Sequence, residues 1–144
     1  MKISTKGRYA LRLMLDIAIN DKGEPVRLKD IAKRQDISVK YLESIGSVLS
    51  KAGYIKSIRG AQGGYRLTKP TNKYVIGDIL RLTEGNMAPV ECLTTDENTC
   101  ERASFCTTLR LWKELDYAIK SVIDKYTLED LVNWEVEKGY EYFI

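Results

Sequence analysis

The sequence predicts a mostly α-helical protein that contains one small β-hairpin. Two observations predict this fold class. Apolar residues recur at helical spacing through most of the chain, and one pair of short strand-like segments flanks a glycine-rich turn at residues 59–64. The chain has 144 residues, 44% of them apolar and 30% charged, which suits one compact domain with an appended element.

The first predicted helix covers residues 5–20. Arg8, Arg12 and Asp16 recur at every fourth position and form one polar stripe. The remaining positions are mostly apolar, so we expect most of this helix to be buried. A glycine and a proline shortly after residue 20 end it.

Two short helices joined by a tight turn are predicted next, which is a helix-turn-helix pattern. Ile37 can fill the corner between them, and Ser38 is a suitable N-cap for the second helix. The apolar stripe of the second helix consists of Val39, Leu42, Ile45, Gly46 and Leu49. The polar residues at its start are Ser38, Lys40, Tyr41, Glu43 and Ser44. Side chains of these types at a helix N-terminus can reach phosphates or base edges, so they are candidate DNA-binding residues.

Residues 54–58 and 65–68 are predicted to be the two strands of the hairpin, with Arg59, Gly60 and Gln62 at its tip. A hairpin directly after a helix-turn-helix is the wing of a winged-helix domain. An arginine at the tip suits a narrow, electronegative minor groove. Residues 1–69 are therefore predicted to form a winged helix-turn-helix domain that binds double-stranded DNA.

The distribution of charge agrees with this prediction. Residues 1–69 contain 15 Lys and Arg against 6 Asp and Glu, whereas residues 70–144 contain 8 against 14. Such a segregation can arise by chance on a solvated surface. Because the basic half also carries the helix-turn-helix pattern and the wing, we favour a polyanionic partner for that half.

The second half is predicted to begin with a connecting helix within residues 70–84, followed by an irregular loop at 85–106. Residues 107–144 then contain a long helix, a short final helix and an apolar tail. The long helix, at 107–126, has a seam at 3-4 spacing formed by Trp112, Leu115, Ile119, Val122 and Tyr126. The seam either packs on its own domain or meets its twin in a homodimer, and reading a palindromic DNA site favours the dimer.

All three cysteines, Cys92, Cys100 and Cys106, lie in the irregular loop. An odd number argues against a disulfide framework, and the polar surroundings argue against buried structural thiols. Free thiols, together with the lack of an apolar leader or membrane span in the sequence, predict a cytoplasmic protein. A cysteine-based enzyme would need a base near its thiol, and the chain has no histidine, so we predict that it is not an enzyme.

Taken together, these segments resemble the winged-helix transcriptional regulators typified by the iron–sulfur cluster regulator IscR, with NsrR and CymR as relatives. The matching segments are residues 4–10, 30–32, 37–38, 41–43, 57–60 and 63–65, the three cysteines and Trp112. The resemblance implies a homodimer whose cysteines bind an iron–sulfur cluster of two-iron or four-iron type, so that cluster, iron or redox status controls promoter binding. It also implies DNA contacts by Tyr41, Glu43 and Arg59.

The fourth cluster ligand is unassigned. IscR-like proteins have a histidine where this chain has Leu109, and NsrR-like proteins can use an aspartate of the partner where it has Arg8. The candidates are Glu91, Asp96, Glu97 or Glu101, a carboxylate of the partner subunit, or an external thiol. Thiolates are the usual ligands of such clusters, but an electron-transfer protein would usually supply four cysteines and would not need a wing. The alternatives are a CymR-like regulator that responds to a metabolite or partner protein without a cluster, a thiol sensor, or a vestigial loop.

Overall fold

The structure is a computed structural model that describes the backbone of residues 2–143 and the side chains of residues 2–139. It confirms the predicted fold class of helices with one antiparallel hairpin. The elements are α1 (Thr5–Asn20), α2 (Leu28–Gln35), α3 (Val39–Lys51), β1 (Ile55–Ile58), β2 (Gly64–Leu67), α4 (Ile76–Glu84), α5 (Leu109–Ile123) and α6 (Leu128–Phe143). Single 3₁₀ turns lie at Thr71–Lys73, Glu91–Leu93 and Ala103–Phe105.

Helix α1 is the centre of the core. It packs against α2, α3, β2, α4 and α6, which explains why it is apolar on most sides. Its buried side chains meet those of the helix-turn-helix and of β1. The fully buried large residues of this core are Leu13, Met14, Ile17, Ile31, Leu42, Ile45, Leu49, Ile55, Ile79 and Leu128.

The hairpin is joined to the helices by its second strand. Ile55 pairs with Leu67 and Ile58 with Gly64 across the two strands. On its other edge, β2 exchanges two backbone hydrogen bonds with Val26, since Val26 N–H donates to Tyr65 O (2.9 Å) and Tyr65 N–H donates to Val26 O (2.8 Å). The outer edge of β2 is therefore joined to the segment before α2, near the end of the hairpin that carries the turn.

The second half of the chain leaves the core along α5 and returns along α6. Residues on either side of the return are joined to the start of α4, because Ile76 N–H donates to Tyr126 O (2.9 Å) and Leu128 N–H donates to Tyr74 O (2.9 Å). Arg81 of α4 adds a bidentate ion pair with Asp124, at 2.8 and 2.7 Å. Helix α5 is thus anchored at its C-terminal end. Among residues 2–143, no helix combines the length and apolarity needed to cross a membrane.

Four expectations about local structure need correction. Asp16 does not lie on a solvated stripe but is 2% exposed, because Arg34 pairs with it at 2.7 Å. Val39 is 38% exposed and does not join the apolar stripe of α3. The long helix is three residues shorter than predicted at its C-terminal end, and the final helix has 16 residues instead of being short. The side chains of the predicted apolar tail, 140–144, lie outside the described residues.

Candidate nucleic-acid interface and cysteine loop

The turn between α2 and α3 aims the start of α3 at solvent. Asp36 ends α2 in the left-handed conformation (φ 54°), which short polar side chains tolerate better than most. Ile37 is then buried in the corner, as predicted. Ser38 caps α3 by accepting a hydrogen bond from Tyr41 N–H (3.1 Å), which confirms the predicted N-cap.

The start of α3 carries an exposed polar surface. The N-cap Ser38 is exposed, and so are Lys40, Tyr41, Glu43 and Ser44 of α3. These are the five residues in this region that the sequence predicts to contact DNA. The helix N-terminus itself favours negative charge, and an exposed lysine and hydroxyl groups add donors for phosphate oxygens. This surface can approach a polyanion without moving any buried side chain.

The wing presents a second exposed surface. Its tip, with Arg59, Gly60 and Gln62, faces solvent. Gly60 has a φ of 111°, which favours glycine, and its carbonyl accepts a hydrogen bond from Gly63 N–H (3.0 Å). Gln62 Oε1 accepts a hydrogen bond from Arg27 Nη2 (3.1 Å), so the tip is fastened to the residue that precedes α2. The sequence pattern gave no signal for this contact of Arg27.

The wing and α3 are packed directly against each other through Tyr65. A Cβ atom at Gly46 would lie 2.7 Å from Tyr65 Oη, so glycine leaves room for the Tyr65 ring to pack against α3. Burial, together with the nearby charge of Glu43, raises the pKa of Tyr65 and keeps its hydroxyl protonated at neutral pH. The two exposed surfaces are therefore parts of one rigid unit.

Tyr41 is supported from beneath by α1. Its ring is 38% exposed and meets the ring of Tyr9 edge to face, with centroids 5.5 Å apart. The guanidinium of Arg12 lies over the Tyr9 ring at 5.1 Å, and Arg12 also donates to Gln35 at the end of α2. The sequence pattern placed Tyr9 in a buried helix. It did not predict the contact of Tyr9 with Tyr41 on the exposed surface of α3, since that contact joins two helices.

The cysteine loop, residues 85–106, has little regular structure, as predicted. Cys92 and Cys106 are half-buried, Cys100 is exposed, and all three thiols are free. Among residues with described side chains, no three cysteine or acidic side chains converge closely enough to hold a metal ion. The loop residues therefore supply suitable ligand atoms in an arrangement that does not converge.

Two features of the loop fit an anionic sulfur group. The pKa of Cys106 is lowered, chiefly by a hydrogen bond with Thr108. Burial opposes this effect, and the backbone N–H groups of Thr108 and Leu109 and the charge of Arg102 add to it. Within the described part of the chain, Asn98 Nδ2 is buried without a hydrogen-bond partner, while Asn98 Oδ1 accepts from Cys100 N–H (2.9 Å). An unsatisfied donor beside a cysteine suits a thiolate or sulfide acceptor.

A cavity of about 500 Å³ lies between the end of α4, the cysteine loop and α5. Its apolar lining comes from Met87, Leu93, Ile119 and Ile123, and its charged lining from Arg81, Asp96, Asp116 and Lys120. Lys120 pairs with Asp116 at 3.0 Å inside this lining. Part of the predicted seam of α5, Ile119, thus faces the loop of its own chain.

Similarity to known proteins agrees with the geometry. The sequence profile of the Rrf2 family, described as an iron-dependent transcriptional regulator, matches residues 3–134. The protein rrf2 of Nitratidesulfovibrio vulgaris is 45% identical over 133 residues, covering 92% of this chain and 87% of that protein. The transcriptional regulator CymR of Bacillus subtilis is 42% identical over 146 aligned positions, covering both chains completely. The regulator IscR of Escherichia coli is 36% identical over 133 residues, covering 92% and 81%.

Solved structures give the same assignment. CymR of Bacillus subtilis, described as a global cysteine regulator, superposes with a TM-score of 0.78 at 42% identity and covers 93% of this chain and 98% of its own. IscR of T. potens superposes with a TM-score of 0.75 at 38% identity and covers 99% and 96%. The family predicted from the sequence motifs is thereby confirmed. The chain belongs to the Rrf2 family of transcriptional regulators, with the winged-helix fold of CymR and IscR.

Proposed function

We propose that the protein binds a palindromic operator in double-stranded DNA as a homodimer and that the state of its cysteine loop controls this binding. The observation that carries the proposal is the rigid pairing of two exposed surfaces, the start of α3 and the wing tip, on one small basic domain. One surface suits the major groove and the other the adjacent minor groove.

In this proposal the residues of the two surfaces have different roles. Tyr41, Ser44 and Glu43 read base edges or phosphates from α3, and Glu43 can accept a hydrogen bond from a cytosine amino group. Ser38 and Lys40 contact the backbone beside the helix N-terminus. Arg59, Gly60 and Gln62 bring the wing to the minor groove, where the arginine meets the negative potential.

The homodimer is proposed to form along α5. On this helix Leu111, Leu115, Ala118 and Val122 are exposed at 4-3-4 spacing, and Leu111, Leu115 and Val122 are 55%, 42% and 56% exposed. Of the seam read from the sequence, only Leu115 and Val122 lie on this stripe, because Trp112 and Ile119 are half-buried within their own chain. An exposed apolar stripe of this spacing suits antiparallel or parallel packing on a second copy.

An iron–sulfur cluster held by Cys92, Cys100 and Cys106 is the proposed signal receptor. Such a group supplies a centre whose presence and oxidation state depend on iron supply and on oxidants. The chain contributes thiolates, of which Cys106 has a lowered pKa, and the Asn98 amide N–H as a donor to sulfur. IscR and the iron-dependent description of the family support this proposal, and the fourth ligand stays open.

A second candidate is a CymR-like regulator that answers to a metabolite or a partner protein without a cluster. The cavity of about 500 Å³ between α4, the loop and α5 favours it, since it offers both apolar and charged lining beside the loop. The 42% identity with CymR over both complete chains also supports it. In either case we propose that the protein acts in the reducing cytoplasm.

Purification with and without oxygen separates the two candidates. For the cluster-binding regulator we expect a brown protein after anaerobic purification, with visible absorbance that is lost in Cys106→Ala and retained in the neighbouring control Ser104→Ala. A colourless protein that still protects a selected promoter fragment from cleavage would support the CymR-like regulator. A protein that protects no fragment in either state would contradict the DNA-binding proposal itself.

A further inference from the structure

The last residue before the cysteine loop, Glu84, holds the N-terminus of α1. Both carboxylate oxygens of Glu84 lie 3.2 Å from Ser4 N, and the Ser4 hydroxyl donates to Glu84 Oε1. Ser4 is the N-cap of α1, and its Oγ also accepts a hydrogen bond from Gly7 N–H (3.2 Å). The next residue, Gly85, has a φ of 76° and starts the loop.

The contact between Glu84 and Ser4 takes the place of a capping carboxylate or amide within α1 itself, which the sequence of α1 lacks. In a capping box, a Glu or Gln at the third helical position reaches back to the backbone N–H of the N-cap residue. In α1 that position is Gly7, and Glu84 of another helix supplies the carboxylate instead. A Cβ atom at Gly7 would overlap Glu84 Oε1, so the glycine leaves the room that the remote carboxylate occupies.

Helix α1 connects this contact to the DNA-reading surface. Tyr9 follows Gly7 by two residues, and its ring supports the ring of Tyr41 edge to face at 5.5 Å. Arg12 holds the Tyr9 ring and also donates to Gln35 at the end of α2. A displacement of α1 at its N-terminus can therefore be transmitted through Tyr9 to Tyr41, an exposed residue at the start of α3.

We propose that Glu84 is a positioning residue that couples the cysteine loop to Tyr41 through the N-terminus of α1. The proposal rests on the proposed function for the identity of the ligand and of the DNA site. In this proposal, a change in the loop moves Glu84 or releases it from Ser4. Helix α1 then shifts and carries Tyr9 and Tyr41 with it. Coupling of this kind requires an element that both sites act on, and α1 is that element.

Two neutral substitutions separate coupling from a simple contribution to stability. Glu84→Gln weakens the contact, because a neutral amide accepts more weakly and only one of its atoms is an acceptor. Gly7→Gln displaces Glu84 and supplies a local capping box, so α1 stays capped but loses its tie to the loop. If the only role of Glu84 is to stabilise α1, the local cap in Gly7→Gln replaces that role, and the variant keeps the operator binding of the wild type. The control is Glu129→Gln, the same change at an exposed carboxylate on α6, outside the loop and its candidate ligands.

The first measurement is fluorine NMR of the full-length cluster-free protein labelled with fluorotyrosine. The Tyr41 resonance is identified among the nine tyrosines by its loss in Tyr41→Phe. We expect Glu84→Gln and Gly7→Gln to shift this resonance while Glu129→Gln leaves it in place, and we expect Gly7→Gln to keep the thermal midpoint of the wild type. An unmoved Tyr41 resonance in both variants would overturn the proposal.

The second measurement is operator affinity before and after anaerobic treatment with ferrous iron and sulfide. We expect the ratio of the two affinities to fall by about threefold or more in Glu84→Gln and Gly7→Gln relative to wild type and Glu129→Gln. Unchanged ratios would also overturn the proposal. If the wild type gains no absorbance or binds no operator, the proposed function fails, and the Tyr41 resonance still decides the role of Glu84.

Discussion

Among single residues, Arg59 is the side chain whose role is most directly measurable. It is exposed at the wing tip, next to a glycine in a conformation that favours glycine. If it enters one phosphate-lined groove, Arg59→Ala weakens operator binding and lowers the slope of log affinity against log salt by about one unit. Fluorescence anisotropy over a range of salt concentrations measures both. The matched control, Arg110→Ala on α5, is expected to leave the slope unchanged, and a reduced slope in both variants would assign the effect to net charge.

The buried carboxylate of Asp16 joins α1 to α2, much as the ring of Tyr9 joins α1 to Tyr41 of α3. It accepts hydrogen bonds from Arg34, Gln35 Nε2 (2.9 Å) and Asn20 Nδ2 (3.3 Å). The hydrogen bond with Asp16 is the main cause that raises the pKa of Arg34 above its ordinary value, and the charges of Asp16 and Asp30 add to it against the effect of burial. Because α2 and α3 share the turn at Asp36, this network also fixes the start of α3.

Asp16→Asn is expected to lower the free energy of unfolding by about 1–3 kcal/mol. Removing one charge of a buried pair is costly, but Arg34 is 39% exposed and regains solvation, which reduces the loss. Urea unfolding followed by circular dichroism measures the change. Asp21→Asn is the comparison, since Asp21 pairs with Arg66 nearer the surface and its loss is expected to cost less. Equal losses in the two variants would contradict the structural importance of Asp16.

The exposure of the polar residues at the start of α3 agrees with the sequence, but the contacts that hold these residues were not predicted. Residues at the start of α3 are identifiable because Ser38 is a capping residue and the helical period separates polar from apolar positions. Asp16 was assigned to a polar stripe because periodicity does not show that Arg34, on another helix, neutralises it. The relative placement of the three thiols, which do not converge in the structure, was likewise beyond the pattern, since a loop without a period fixes no relative positions.

At the scale of elements, α5 carries the exposed stripe that the proposed dimer uses. Leu115→Glu places a charge in the middle of this stripe and is expected to convert the dimer to a monomer, because an unpaired charge in an apolar interface is costly. Sedimentation analysis measures the mass. Lys113→Glu, an exposed site off the stripe, is the control and is expected to remain dimeric. Helical content is expected to be retained in both variants, and a dimeric Leu115→Glu protein would exclude this face of α5.

The order and type of the elements could be predicted more fully than their ends. Helix α1 was predicted at its observed bounds because glycine and proline follow it closely. The long helix was extended to 126, although residues 126–128 leave helix α5 to hydrogen-bond with residues 74–76. That bridge joins segments about 50 residues apart, so a local pattern does not indicate it. Helix α6 was also predicted too short, because the exposed part of this helix has few apolar repeats from which a helical period could be read.

In the whole molecule, the proposed regulation requires that the cysteine loop change the relation between the two winged-helix domains of the proposed homodimer. The loop leads directly into α5, the proposed dimer helix, and its first neighbour, Glu84, holds α1 of the DNA-binding domain. The loop therefore adjoins α5, which is proposed to set the distance between the two domains, and Glu84, which contacts α1 and is proposed to position Tyr41. A change in the loop can act on spacing, on Tyr41, or on both.

The spacing of operator half-sites separates these two effects. Inserting about five base pairs between the half-sites rotates one half-site by about half a helical turn, so one domain of a rigid dimer faces away and affinity falls to that of a single half-site. If the loop sets domain spacing, treatment with iron and sulfide changes which spacing binds best. If it acts only through Glu84 and Tyr41, treatment changes affinity by the same factor at every spacing. Anisotropy titrations over a series of spacings measure both, and equal affinity of treated and untreated protein at every spacing would exclude control by the loop.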